Sequence, residues 1–208
     1  MSSQFMMPSY SGGSSSSSSA TFRVMTDAIN GYKWPEAHTF NISSLIPNYT
    51  KLTADNFAAA YMPFALNNSD YSLHMTGLGT LSYNSSNGIV TYNPVCNNTG
   101  YNDAPLYLTL YCNLNKKKVY LGDYQPGAYE MHKTDKLVWD CTSISGYSKL
   151  QTKDFCAGMT THETKKYTYA YYGINLRYDA ENGKLYGTSY GNASYFSGAI
   201  KFSAWAFV

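Results

Sequence analysis

Two stretches of this chain carry the same turn signature. Leu81-Ser82-Tyr83-Asn84-Ser85-Ser86-Asn87-Gly88-Ile89-Val90 and Leu176-Arg177-Tyr178-Asp179-Ala180-Glu181-Asn182-Gly183-Lys184-Leu185 both read Leu-x-Tyr-(Asn/Asp)-(Ser/Ala)-x-Asn-Gly-x-(Val/Leu). Asn and Gly tolerate a positive φ that other residues resist. An Asn-Gly pair between alternating apolar and polar residues therefore predicts a tight β-hairpin. Two such hairpins bracket the region from about residue 80 to 190 and commit it to β-structure, with a loosely repeated plan.

The rest of the chain agrees. Residues 105–113 alternate, with Leu106, Leu108, Leu110 and Cys112 on one face and Tyr107, Thr109 and Tyr111 on the other. Further strands are expected at 71–78, 117–122 (pairing back on 105–113), 127–132, 136–141, 165–178 and 183–190. In the final stretch, 195–208, Phe196, Gly198, Ile200, Phe202, Ala204, Ala206 and Val208 share a face and Trp205 and Phe207 take the other. That strand is expected to be covered on both sides. One short helix is expected near 53–62. Thr53 stands at its N-cap, Asp55 in its first turn and Pro63 just beyond its end. The fold class is mainly β: an antiparallel β-sandwich or jelly-roll-like domain with one short helix and an extended N-terminal tail. The expected organisation is a Ser-rich anchor or tether at 1–20, a linker region at 21–66 and a β-domain at 67–208.

Composition narrows function. Only 13% of residues are charged and the net charge is +2, so no nucleic-acid partner is expected, because phosphate binding concentrates Lys and Arg. Lys116-Lys117-Lys118 is the one basic run and is read as a solvated turn. The 22 tyrosines, with abundant Ser, Thr, Asn and Gly, suit protein or carbohydrate contact. No apolar run is long enough to span a bilayer, and the first residues lack the basic and apolar regions of a secretory signal. On that basis Cys96, Cys112, Cys141 and Cys156 are expected to be free and mostly buried. The sequons at Asn41, Asn48, Asn67, Asn84, Asn97 and Asn192 are not expected to carry glycans.

Catalytic patterns are weak. His132, Cys141, Cys156 and His162 fit no zinc spacing, and the loop 97–103 has one Asp and no Glu for calcium. No Gly-x-Ser-x-Gly elbow occurs. The reading is of no enzyme, no cofactor and no metal. A surface glycan hydrolase is a distant alternative needing two convergent carboxylates. Tyr101, Tyr107, Tyr124, Tyr171 and Tyr190 are the candidate contacts for a glycan or protein partner, since exposed rings stack on sugars.

The Ser/Gly-rich N-terminal stretch, the Tyr/Asn/Gly-rich β-domain and the repeated Asn-Gly hairpin resemble the appendages of tailed bacteriophages, including crAss-like phages. The resemblance implies a virion structural protein, a capsid head fibre or decoration protein, assembled in the host cytoplasm. Phe5, Met6, Met7 and Pro8 would anchor it to other virion proteins of capsid or tail, and the β-domain would form a homo-oligomer, a trimer as first expectation. The alternative within this resemblance is a tail-fibre module that binds a host-surface glycan.

Overall fold

In the computed structural model, residues 5–8, 21–25, 36–63, 74–96, 106–126, 133–163, 173–190 and 200–208 are described. Their strands are β1 (Phe5–Pro8), β2 (Thr21–Met25), β3 (His38–Asn41), β4 (Phe57–Pro63), β5 (His74–Asn84), β6 (Ile89–Cys96), β7 (Leu106–Asn113), β8 (Lys118–Tyr124), β9 (Leu137–Asp140), β10 (Phe155–Glu163), β11 (Gly173–Asp179), β12 (Lys184–Tyr190) and β13 (Ile200–Phe207). All pairings among them are antiparallel. The mainly β, antiparallel architecture expected from the sequence is present, and both Asn-Gly hairpins form, as β5–β6 and β11–β12.

The chain is an internal duplication, and the evidence begins in the sequence. Tyr49-Thr50-Lys51-Leu52 followed by Asn56-Phe57-Ala58-Ala59 matches Tyr147-Ser148-Lys149-Leu150 followed by Asp154-Phe155-Cys156-Ala157. The strand pairing repeats in step. In the first repeat β7 lies between β2 and β4, and β6 between β3 and β5. In the second, β13 lies between β8 and β10, and β12 between β9 and β11.

The local contacts repeat as well. The amide of Ile42 donates to Gly88 O at 2.9 Å, and that of Cys141 to Gly183 O at 2.8 Å. The Tyr83 hydroxyl donates to Tyr49 O at 2.8 Å, the Tyr178 hydroxyl to Tyr147 O at 2.9 Å. The Phe57 ring lies 4.9 Å from Tyr83, and Phe155 lies 4.4 Å from Tyr178. A residue in the left-handed region precedes each first 3-10 turn, Asn48 at φ 60° and Gly146 at φ 76°. Gly88 and Gly183, at φ 69° and 61°, close the hairpins where a side chain would be strained. A Cβ at Gly88 would also press on Ser43, and one at Gly183 on Thr142 and Tyr147. That is the reason the hairpin signature carries Gly.

The repeats meet at a local two-fold. β4 and β10 touch through the bridge Tyr61↔Met159, and these two residues are each other's counterparts in the duplication. An antiparallel pair in which a residue faces its own equivalent is what a two-fold axis through that pair produces. The strand order β2-β7-β4-β10-β13-β8 is therefore a palindrome. β1 extends it beyond β2.

β5 also pairs with β10, from Thr161↔Thr76 to Glu163↔His74, so β3–β6–β5 is continuous with this sheet, while β9–β12–β11 is a separate three-stranded sheet. In the core Phe40, Val90, Tyr92, Phe57, Leu108 and Leu110 of the first repeat are continuous with Trp139, Leu150, Leu185, Phe155 and Phe202 of the second, all buried. At about 25 cal/mol per Å² of apolar surface, this shared core is the main stabilising term. β13 is covered on both faces, as its sequence predicts: Phe202, Ala204 and Ala206 enter the shared core, while Trp205 and Phe207 join Ala58, Ala60 and Cys156 on the opposite face.

Several expectations are corrected. Residues 53–62 do not form an α-helix: a 3-10 turn, Ala54–Asn56, leads into strand β4. Thr53 keeps its cap role, because Thr53 and Asn56 make the capping box. The alanines have helical propensity, but β4 pairs with β7 along its whole length and is buried on both faces. Ala58, Ala59 and Ala60 are all buried in this paired strand, so tertiary pairing overrides propensity. Within 21–66, the region read as a linker with a short helix, β2 and β4 flank β7 in one sheet. β8 does not pair back on β7; it pairs with β13, far along the chain. The expected strand at 127–132 and the first part of that at 165–178 lie outside the described residues.

Candidate interaction surface

The basic run is not a solvated turn. It is the connection between the repeats, and its three ammonium groups reach into both. Lys116 Nζ pairs with Asp154 Oδ1 at 2.6 Å. Lys117 Nζ donates to Thr53 Oγ1 at 2.6 Å and Asn56 Oδ1 at 2.9 Å. Lys118 Nζ donates to Ala54 O at 3.2 Å, and burial lowers its pKa against the opposing pull of Asp55. Asn56 and Asp154 are counterparts, each accepting a backbone amide across its turn, from Thr53 and Gln151 respectively, at 2.9 Å. The buried Asn56 also donates to Asn113 O and Lys116 O, at 2.9 and 3.0 Å. An amide suits the place where linker carbonyls must be met. At Asp154 the carboxylate gives the Lys116 ammonium a charged acceptor.

The remaining described carboxylates with side-chain partners serve structure too. Asp140 accepts from Lys184 Nζ at 2.6 Å and from the amide and hydroxyl of Thr142. The Lys184 ammonium, then the Thr142 donors, hold its carboxyl well below the usual range. Asp135 receives both Nε and an Nη of Arg177, whose guanidinium lies 4.3 Å from the Tyr186 ring centre.

Asp123 ends a chain of hydroxyls. Thr160 and Ser203 are hydrogen-bonded to each other, Ser203 donates to Asp123, and Tyr120 donates to the same carboxylate. Burial and that bond push the Tyr120 hydroxyl up to about 12. Thr160 and Ser203 have no solvent exposure, so neither hydroxyl meets a substrate from solution. The counterpart of Ser203 in the first repeat is Thr109, whose buried hydroxyl has no hydrogen-bond partner.

Cys112, Cys141 and Cys156 are free and buried. Burial pushes the Cys112 thiol up to about 12 and Cys141 to about 11, and raises Cys156 as well. Thiols so protonated are poor nucleophiles at neutral pH. Among the described residues, no group of three His, Cys, Asp or Glu side chains is placed to hold a metal, and no helix is long and apolar enough to cross a membrane.

Most of the exposed large apolar side chains among the described residues lie in the second repeat, Val95 on β6 being the exception. β8 ends the palindromic sheet in that repeat, and no described strand pairs beyond it. Val119 and Tyr120 on it are 38% and 46% exposed, and Val138, on the neighbouring edge strand β9, is 39% exposed. Trp139 ties the two edges together by donating from Nε1 to Gly122 O at 3.0 Å.

The residues singled out from the sequence fall as follows. Phe5, Met6, Met7 and Pro8 form β1 and pair with Met25, Val24, Arg23 and Phe22. Tyr124 is half-buried against the core, its ring edge-on to Trp139 at 6.3 Å. Tyr107 pairs with Met62 on β4, and Tyr190 with Gly173 on β11; their side chains, and all of Tyr101 and Tyr171, lie outside the described residues. Sequence reasoning missed the β8 edge, because nothing local to Val119-Tyr120 distinguishes an edge from a central strand. The Tyr-x-Lys-Leu repeat signals the duplication, and the open edge itself follows from the assembled sheet. Comparison of the chain with protein-family models, with curated proteins and with solved structures finds no match.

Proposed function

We propose that this chain is a non-enzymatic structural protein of a virion, a capsid head-fibre or decoration protein, attached through its N-terminal segment and presenting the duplicated β-domain outward. The observation that carries the structural role is how the polar groups are used. The linker lysines, Asp154, Asp140, Asp135 and Asp123 are engaged in contacts that lock turns and repeats together, and the three described thiols are buried and protonated. A rigid sheet with apolar side chains at an open edge suits assembly better than turnover.

The virion assignment rests on the appendage-like character of the sequence. Phe5–Pro8 pair with β2 on one side, and in the proposed attachment their other edge engages a virion partner by strand addition. The test is deletion of residues 2–20 in the context of particle assembly. The shortened chain is expected to fold and to be missing from purified particles. Incorporation at the full-length level would refute the anchoring role.

A further inference from the structure

We propose that the β8 edge is the contact through which two copies of this chain associate, β8 pairing antiparallel with β8 of the second copy. The duplication supplies the argument. In the first repeat, the edge equivalent to β8 is that of β2, and it is covered by β1. In the second repeat no described strand takes that place. Among the described residues the β8 edge is left open, and a strand from a second copy can take the place that β1 takes on β2. A two-fold contact lets each copy's β8 serve the other, and closed two-fold dimers are the commonest assemblies.

The backbone sets the register. Lys117 and Val208 exchange both hydrogen bonds, N to O at 3.0 Å and N to O at 2.9 Å. Alternation along an antiparallel ladder then turns the N–H and C=O of Val119 toward β13, and those of Lys118 and Tyr120 toward the open side. Placing Val119 opposite Val119 of the second copy sets Lys118 of each opposite Tyr120 of the other. That register satisfies all these outward groups at once. It also buries the exposed valine against its equivalent and lays the exposed Tyr120 ring beside a lysine stem.

Lysines and bulges are the usual guards of an open edge, and both are present, but neither blocks this register. Lys118 is folded back onto Ala54 O. The bulge, at Gly122 with φ 109°, begins beyond the paired residues.

The proposal stands apart from virion attachment, so its test needs only the full-length chain in solution. By sedimentation equilibrium the wild type is expected at twice its 23.2 kDa. Val119→Lys sets like charges opposite each other and is expected to raise the dimer dissociation constant at least ~10-fold. Val119→Glu alone should do the same. An equimolar mixture of the two should recover dimers, which a folding defect would not. Tyr120→Pro removes an outward N–H at a position where an edge strand tolerates proline and is expected to give folded monomer. A wild type that stays monomeric at ~1 mM would overturn the proposal. So would an oligomer indifferent to all three variants, or one that dissociates on deleting residues 2–20 and not with Val119→Lys.

Discussion

The two repeats hold the same turns with different chemistry. In the first, Asn41 accepts the amide and hydroxyl of Ser43, at 3.0 and 2.7 Å. In the second, Asp140 does the same for Thr142, at 2.9 and 2.7 Å, and adds Lys184. Asn56 meets linker carbonyls with its amide, while Asp154 meets the Lys116 ammonium. Asn48 takes a left-handed backbone that Gly146 takes more readily. The first repeat thus uses uncharged amide side chains, Asn41 and Asn56, where the second uses carboxylates, Asp140 and Asp154. Geometry is shared and pH sensitivity is not. The outward edges differ as well, one carrying β1 and the other bare of any described strand.

The equivalence is broken most severely at the buried rings. Phe57→Ala and Phe155→Ala each open a cavity in the one continuous core, and each is expected to lower unfolding stability by about 3–5 kcal/mol. Urea denaturation should show a single transition shifted by either variant. A variant that melts only its own repeat would show that the halves fold separately.

The linker lock comes next. Asp154→Ala leaves the Lys116 ammonium without its carboxylate and the Gln151 amide without its acceptor, and is expected to cost about 1–3 kcal/mol. Asp154→Asn, which copies Asn56, should retain the amide contact and cost less. Equal losses for the two variants would mean that the charge, not the turn contact, is what matters there.

The smallest effect separates the repeats by pH. The Asp140 carboxyl is held below its usual 3.8 by Lys184 first and the Thr142 donors next. A depressed carboxylate contributes stability above its unfolded pKa and loses it as pH falls through the folded one. The second repeat's turn is therefore expected to loosen below about pH 3.8, while the turn at Asn41, which does not titrate, is unaffected. Amide exchange at Thr142 and Ser43 between pH 5 and 2 measures this. Equal acid sensitivity at both would contradict it.

The hairpins were legible because their determinants are local: Asn87-Gly88 and Asn182-Gly183 need only their own turns. The alternation of residues 105–113 and the apolar last strand were legible for the same reason. The β4 strand was not. Thr53-Ala54-Asp55 does start a capped turn, but whether Ala58-Ala59-Ala60 continue as helix or strand is decided by β7 and β10, which come from elsewhere in the chain. Pairing of β8 with β13 is equally non-local, and with it the role of Lys116–118. The duplication itself was written in Tyr49-x-Lys51-Leu52 and Tyr147-x-Lys149-Leu150, a stronger repeat than the hairpins. It predicts which strands are partners once one repeat is known. The exposed edge at Val119 and Tyr120 follows only from the assembled sheet.

The two-fold axis that relates the repeats runs through one contact, Tyr61↔Met159. Backbone nuclear Overhauser effects between Tyr61 and Met159, measured on uniformly labelled protein, test it directly. Cross-strand effects between these two residues are expected, with those from Thr161 to Thr76 beside them. Their absence, with β4 and β10 each showing cross-strand effects to other partners at those positions, would contradict the two-fold and the edge equivalence built on it.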